Sequence, residues 1–219
     1  MANKKGTIGI VGLGKFGMQL AEELVESGRK IVCIDKDEKK VKKALELTDY
    51  AYVSEDLSKE TFEETGFKQC ETIVICIGEH LDTAILATLN ALSLGVKKVI
   101  AMSVTDETGQ VLEKLGAEVI YPYKDSADHL AKKISNHNIL DFISLKGEVE
   151  IAEINVPKSF IGKSIIESNI RQNFGVNIIA IENGDQINTR VDPKYVFQDD
   201  DAVVVIGDTK SLRKFEQKK

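Results

Sequence analysis

The chain has 219 residues, enough for one or two domains, with 42% hydrophobic and 29% charged residues and no low-complexity tract, which excludes a disordered chain. A net charge of −6 argues against nucleic acid as the main partner, because phosphate backbones need a basic surface. The longest apolar runs, Ile73–Ile77 and Ala202–Ile206, fall far short of the ~20 residues of a membrane-spanning helix.

A short apolar run, Ile8, Ile10 and Val11, reads as a strand and leads straight into Gly12-Leu13-Gly14-Lys15-Phe16-Gly17, a G-x-G-x-x-G. Phe16, Leu20, Ala21, Leu24 and Val25 then recur at helix spacing, and Gly28 stops the helix. A second strand, Lys30–Ile34, leads to Asp35, close to the ~20 residues expected before the ribose-binding acid of a dinucleotide fold. Each residue type has a task. Gly12 permits a tight turn, Gly14 lets backbone approach a diphosphate, and Gly17 lets helix and strand pack. The helix N-terminus offers N–H groups to the phosphates. Asp35 can accept from ribose hydroxyls and repels a 2′-phosphate. Read plainly, the same stretch is a tight strand–helix turn without a ligand. The register of strand, glycines, helix, strand and acid favours the nucleotide.

Asp37 is placed to cap a helix with Val41, Ala44 and Leu45 on one face. The lysines 36, 39, 40, 42 and 43 read as its solvated side. Tyr50–Val53 is a short strand, followed by the loop Ser54-Glu55-Asp56 near an adenine. Thr61–Gly66 is a short helix. Thr72–Ile77 is a continuous apolar strand, buried on both faces. Gly78-Glu79-His80 opens a helix with Ile85, Leu86, Leu89 and Leu92 inside. Strand Lys97–Met102, helix Thr105–Leu115 and strand Glu118–Tyr121 follow. Six alternations of strand and helix predict a Rossmann-like doubly wound parallel sheet, an α/β fold. Pro122 breaks the pattern. Ser126–Ser135 then reads as a helix whose apolar face, Ala127, Leu130, Ala131 and Ile134, is expected to bury against another subunit or domain, with His137-Asn138 following it.

From about Leu145 the pattern alternates, as in Val149–Val156, and a small α+β module is expected. It contains a helical stretch Gly162–Arg171, strands at Val176–Ile181, Gln186–Val191 and Ala202–Ile206, a hairpin signal at Asn183-Gly184, and a last helix at Thr209–Gln217. Cys33, Cys70 and Cys76 have no metal-ligand spacing, and buried free thiols fit a reducing compartment. The opening Met1-Ala2-Asn3-Lys4-Lys5 lacks a secretory pattern, so a cytoplasmic location is expected.

At this point the chain resembles the RCK/KTN regulators of bacterial potassium transport, which include the TrkA-, KtrA- and KtrC-type cytosolic subunits. The likeness runs from GLGKFG through Asp35, IVICIGE and YPYKDSA into Gly162-Lys163-Ser164-Ile165, Asn169-Ile170-Arg171, Gly175, Pro193, Asp201 and Gly207. It implies a nucleotide-binding domain (TrkA-N, 1–124), a crossover helix and hinge (125–144), and a C-terminal ligand-binding and dimerisation domain (TrkA-C, 145–219). It further implies homodimers that assemble as an octameric ring on the inner face of the cell membrane. The ring would gate a separate integral-membrane potassium channel or transporter subunit, KtrB- or TrkH-like. The ligands implied are ATP/ADP or NAD(H). The residues implied to hold them are Gly12, Gly14, Lys15, Phe16, Gly17, Asp35, Lys36, Glu55, Asp56, Gly78 and Glu79.

A cyclic di-AMP pocket is implied at Ile165, Ile166, Arg171, Asn177, Ile178 and Pro193. A two-fold ligand suits an isologous interface, and Arg171 would serve a phosphate. Equally, Ile165 and Ile166 can be dimer core and Arg171 a solvated charge. The chain departs from the family at several positions. Lys15 replaces an Arg and loses its bidentate fork. Tyr123 replaces a Glu that helps place a divalent cation in Ktr subunits; a phenol is a poor ligand, so no metal site is expected. Glu55 takes an Asp/Asn position beside the adenine. His80 replaces an Asn and reads as a solvated loop residue.

Two other functions lack their residues. A small NAD-dependent oxidoreductase needs a proton donor or base at the nicotinamide; the chain has no Tyr-x-x-x-Lys, and its second half has no histidine. A DNA-binding repressor needs a basic helix-turn-helix, which neither end supplies. A non-enzymatic, nucleotide-sensing subunit is the function expected.

Overall fold

The computed structural model describes residues 6–135, 139–145, 148–184 and 186–218. His137 and Asn138 lie outside them. The chain divides into two units, 1–126 and 127–219.

The first unit holds six strands: β1 (Thr7–Val11), β2 (Ile31–Asp35), β3 (Ala51–Val53), β4 (Cys70–Ile75), β5 (Lys98–Met102) and β6 (Glu118–Ile120). They pair in parallel in the order β3-β2-β1-β4-β5-β6. Successive side chains enter opposite faces of this sheet. Ile10, Cys33, Val74 and Cys76 pack with α1 (Lys15–Glu26) and α2 (Glu38–Ala44). Val11, Ile34, Ile73, Ile75 and Ala101 pack on the other face with α3 (Lys59–Glu64), α4 (Leu81–Ser93) and α5 (Asp106–Leu115). A sheet buried on both sides explains the continuous apolar runs Ile31–Ile34 in β2 and Ile73–Ile75 in β4.

Two helix faces differ from expectation. In α4 the buried positions are Ala84, Ala87, Thr88 and Ala91, while Leu86 and Leu89 are 58% and 48% exposed. The side against the sheet takes small residues, so the leucines are displaced outward. In α2, Val41 and Ala44 are buried and Leu45 is exposed. The helix expected at Ser126–Ser135 begins earlier, with Pro122 opening α6 (Pro122–Ser135), where its missing N–H costs nothing. No α6 residue is buried; Leu130 and Ile134 are exposed.

The second unit is an antiparallel sheet in the order β10-β9-β11-β8-β7. Its strands are β7 (Ile139–Ser144), β8 (Val149–Asn155), β9 (Asn177–Asn183), β10 (Gln186–Asn188) and β11 (Asp201–Asp208). The strand β7 occupies part of the span expected to be a hinge and pairs with β8 as an edge strand. The expected helix 162–171 is two short ones, α7 (Ile165–Ser168) and α8 (Ile170–Phe174), divided by Asn169 at φ 49°. With α9 (Thr209–Glu216) they cover a core of Ile154, Phe160, Phe197, Val203, Val205 and Phe215.

Candidate functional site

The strand order reverses between β1 and β4, and a cleft of about 870 Å³ opens there at the carboxyl ends of the strands. That is where open α/β sheets bind ligands. The three motif glycines have separate causes. Gly12 has φ 95°, which strains any side chain. A Cβ on Gly17 would overlap the Gly12 carbonyl oxygen. Gly14 has neither constraint: its backbone is extended, and a Cβ there would meet nothing within 4 Å. The fold does not need a glycine at 14, and the space above it belongs to the cleft.

Helices α1 and α4 both begin at this cleft, and neither N-terminus is capped by a side chain. Elsewhere in this unit Asp37, Ser58 and Thr105 cap α2, α3 and α5. Uncapped N–H groups at a helix start are donors left for a ligand.

Asp35 ends β2 with its side chain 8% exposed. One carboxylate oxygen accepts the Leu13 N–H at 2.5 Å, and the other accepts the Asp37 N–H at 2.8 Å. Lys40 stands 3.8 Å away. Each carboxylate oxygen has further lone pairs, so a ribose hydroxyl can still donate to it.

Of the residues named from the sequence, Gly12, Gly14, Lys15, Phe16, Asp35, Lys36, Glu55, Gly78 and Glu79 line the cleft. Gly17 lies behind the loop, with Cys76 beside it. Asp56 is not among the lining residues. Its carboxylate accepts from Ser58 N, Ser58 Oγ and Thr61 Oγ1, and these bonds, Thr61's first, hold its pKa below the ordinary value. Asp56 organises the start of α3. His80 lines the cleft and is the N-cap position of α4. Sequence reasoning missed Lys40, Met102 and Val104 as lining residues, and did not see the Tyr123 ring as part of the wall. The signal was available for the loop after β5, since every such loop in a parallel sheet borders the crevice. Among the described residues no group of three or more His, Cys, Asp or Glu can hold a metal ion.

In the second unit a cavity of about 330 Å³ is lined by Ile165, Ile166, Arg171, Asn177, Ile178 and Pro193 together. Backbone bonds from Ile165 N to the Tyr195 carbonyl and from Ile166 N to the Pro193 carbonyl, both 3.1 Å, hold its wall. Ser164 and Glu167 form a capping box at the start of α7. The Tyr195 hydroxyl donates to Asp201, which also accepts from Asn183 and the Gln198 N–H and is 1% exposed. The segment carrying Pro193 is thereby fixed to β11.

Residues 8–122 match the TrkA-N domain, and residues 149–219 match the TrkA-C domain. The chain is 28% identical to Ktr system potassium uptake protein C of Bacillus subtilis (strain 168) over 215 residues, 98% of this chain and 97% of that protein. It is also 28% identical to Ktr system potassium uptake protein A of the same organism, covering 97% and 96%. Two solved structures share the fold at 20% identity over the whole chain. The GsuK RCK domain has a TM-score of 0.65, and the GsuK channel bound to NAD has 0.66. This chain spans 48% and 40% of those chains.

Proposed function

Because the chain belongs to the TrkA-N and TrkA-C domain family, we propose that it is the nucleotide-sensing subunit of a potassium uptake system. In this reading residues 1–124 bind the nucleotide, 125–144 cross over, and 145–219 dimerise and take a second ligand. Homodimers build an octameric ring on the cytoplasmic face of the membrane, and the ring gates a KtrB- or TrkH-like potassium-conducting subunit. Among the described residues no helix is long and apolar enough to cross a membrane.

The observation that carries the proposal is the open space above Gly14, at the reversal of the strand order and beside the uncapped α1 and Asp35. An adenosine diphosphate moiety matches it: phosphates at the N–H groups of α1, ribose at Asp35, adenine toward Glu55. The likeness to Ktr uptake proteins over nearly their whole length supplies the system. The second cavity gathers the six residues that resemble a cyclic di-AMP pocket, and we assign it that ligand in the dimer.

The mechanism is a population shift without bond chemistry. A ligand moves an equilibrium between two ring shapes only by its differential affinity for them. Solution scattering of the assembled chain with ATP, ADP, NAD⁺ and NADH tests this. The proposal expects bound ligands to give at least two distinct scattering envelopes, with no NADH consumed. Ligands that bind yet leave one unchanged envelope would refute the gating step.

A further inference from the structure

The cavity in the second unit has two kinds of wall. One is regular structure: Ile165 and Ile166 open α7, and Asn177 and Ile178 begin β9. The other is Val191 and Pro193, which lie in the connection from β10 to β11, a stretch with no helix or strand of its own. Such a stretch keeps one shape only where bonds to its neighbours hold it.

Backbone bonds supply one tie. The Gly162 N–H donates to the Phe197 carbonyl at 2.9 Å, and the Phe197 N–H to the Lys163 carbonyl at 3.0 Å. The Ile165 and Ile166 N–H groups reach the Tyr195 and Pro193 carbonyls, so the isoleucines that line the cavity also hold its opposite wall.

A buried carboxylate supplies the other. The Tyr195 hydroxyl donates to Asp201 Oδ1 at 3.0 Å, Asn183 Nδ2 donates to the same oxygen at 2.7 Å, and the Gln198 N–H donates to Oδ2 at 2.8 Å. These donors are neutral. A buried carboxylate is costly unless its donors stay in place, so Asp201 fixes the groups around it. Burial and then the bond to Asp201 push the Tyr195 phenol above its ordinary pKa, which keeps it a donor at neutral pH. Tyr195 is thus held at both ends, by its carbonyl to α7 and by its hydroxyl to β11, with its ring edge-on to Phe197. Neither Tyr195 nor Asn183 lines the cavity. Asn183 is the last residue of β9.

We infer that Tyr195 and Asn183 are positioning residues for the second ligand: acting through Asp201, they hold Val191 and Pro193 against α7 in the shape that ligand needs. The inference rests on the cyclic di-AMP reading of this cavity and deepens it, because affinity then depends on side chains outside the cavity wall. A wall that opens in part of the population lowers apparent affinity by that fraction. A general loss of stability in a chain that stays folded leaves affinity alone. The two effects separate positioning from plain support of the fold.

Calorimetric titration of the full chain with cyclic di-AMP, run beside hydrogen exchange, tests it. Tyr195→Phe keeps the ring and removes the bond to Asp201. Asn183→Asp sets a second carboxylate against Asp201. Each variant is expected to bind cyclic di-AMP about fivefold more weakly and to bind ADP at the first site as the parent does. In each, the Ile165 and Ile166 amides should exchange faster without ligand, by a larger factor than the amides of β8, and saturating cyclic di-AMP should restore the parent rates. Unchanged affinity in both variants, or faster exchange spread equally over α7 and β8, would overturn the inference and leave the ligand assignment standing. No binding by the parent chain would remove the assignment and the inference together.

Discussion

Asp35 accepts the Leu13 N–H at 2.5 Å, so the acid at the end of β2 holds the glycine loop that follows β1. Asp35→Asn puts an amide donor where one of the two backbone N–H groups now finds an acceptor. The expected cost is about 1–3 kcal/mol of folding stability, read by urea unfolding. Nucleotide affinity should fall with it, and NADP⁺ should gain on NAD⁺ as the charge facing a 2′-phosphate disappears. Unchanged stability would show that the loop does not depend on this bond.

The glycines at 14 and 17 should separate folding from binding. Gly17→Ala forces a Cβ into the Gly12 carbonyl oxygen, and overpacking of this kind costs about 1–3 kcal/mol. Gly14→Ala meets open space, so its stability should stay within about 0.5 kcal/mol of the parent while nucleotide binding weakens. Thermal unfolding of both variants, with and without ADP, checks the contrast.

Burial pushes the Cys33 and Cys76 thiols from 9.0 up to about 12, and Cys70 up to about 11. The folded chain keeps these protons to higher pH than the unfolded chain does. The stability linked to neutral thiols is therefore full below about pH 9 and declines as pH rises through about 11 to 12. Urea midpoints at about pH 8 and about pH 10.5 should show that loss. A thiol reagent at about pH 8 should label the native chain far more slowly than the unfolded one; equal rates would contradict the burial.

Arg171 is exposed on the rim of the second cavity, in a unit separate from the glycine loop. Arg171→Ala should weaken cyclic di-AMP binding about tenfold or more, by removing a charge-assisted contact, and leave nucleotide binding at the first site unchanged. Calorimetry with the two ligands in turn reads both effects. A variant that keeps its cyclic di-AMP affinity would return Arg171 to a plain surface charge.

The first unit was legible because its strands are short apolar runs that pass directly into glycines and amphipathic helices. The far half of its cleft was not, because Met102, Val104 and Tyr123 come together only through strand order. Leu86 and Leu89 misled because α4 is apolar around most of its circumference; its alanines meet the sheet with Ile85 and Leu92 packed beside them, while Leu86 and Leu89 face outward. In the second unit β7 was missed because an edge strand carrying Asp141 and Ser144 lacks a clean apolar alternation. Asp201 stood out in the sequence only by resemblance. Its task, to gather Asn183, Tyr195 and Gln198 around one buried carboxylate, depends on contacts formed in the folded unit.

The claim on which the account turns is that the amides beside Gly14 grip a diphosphate. Gly14→Asp places a carboxylate where those phosphates would lie, in space the fold leaves open. Side-by-side calorimetric titration of the parent chain and Gly14→Asp with ADP and NAD⁺ is the direct measurement. The account predicts saturable binding to the parent chain and none to a variant that remains folded by circular dichroism. Equal binding by both chains, or none by the parent, would contradict it.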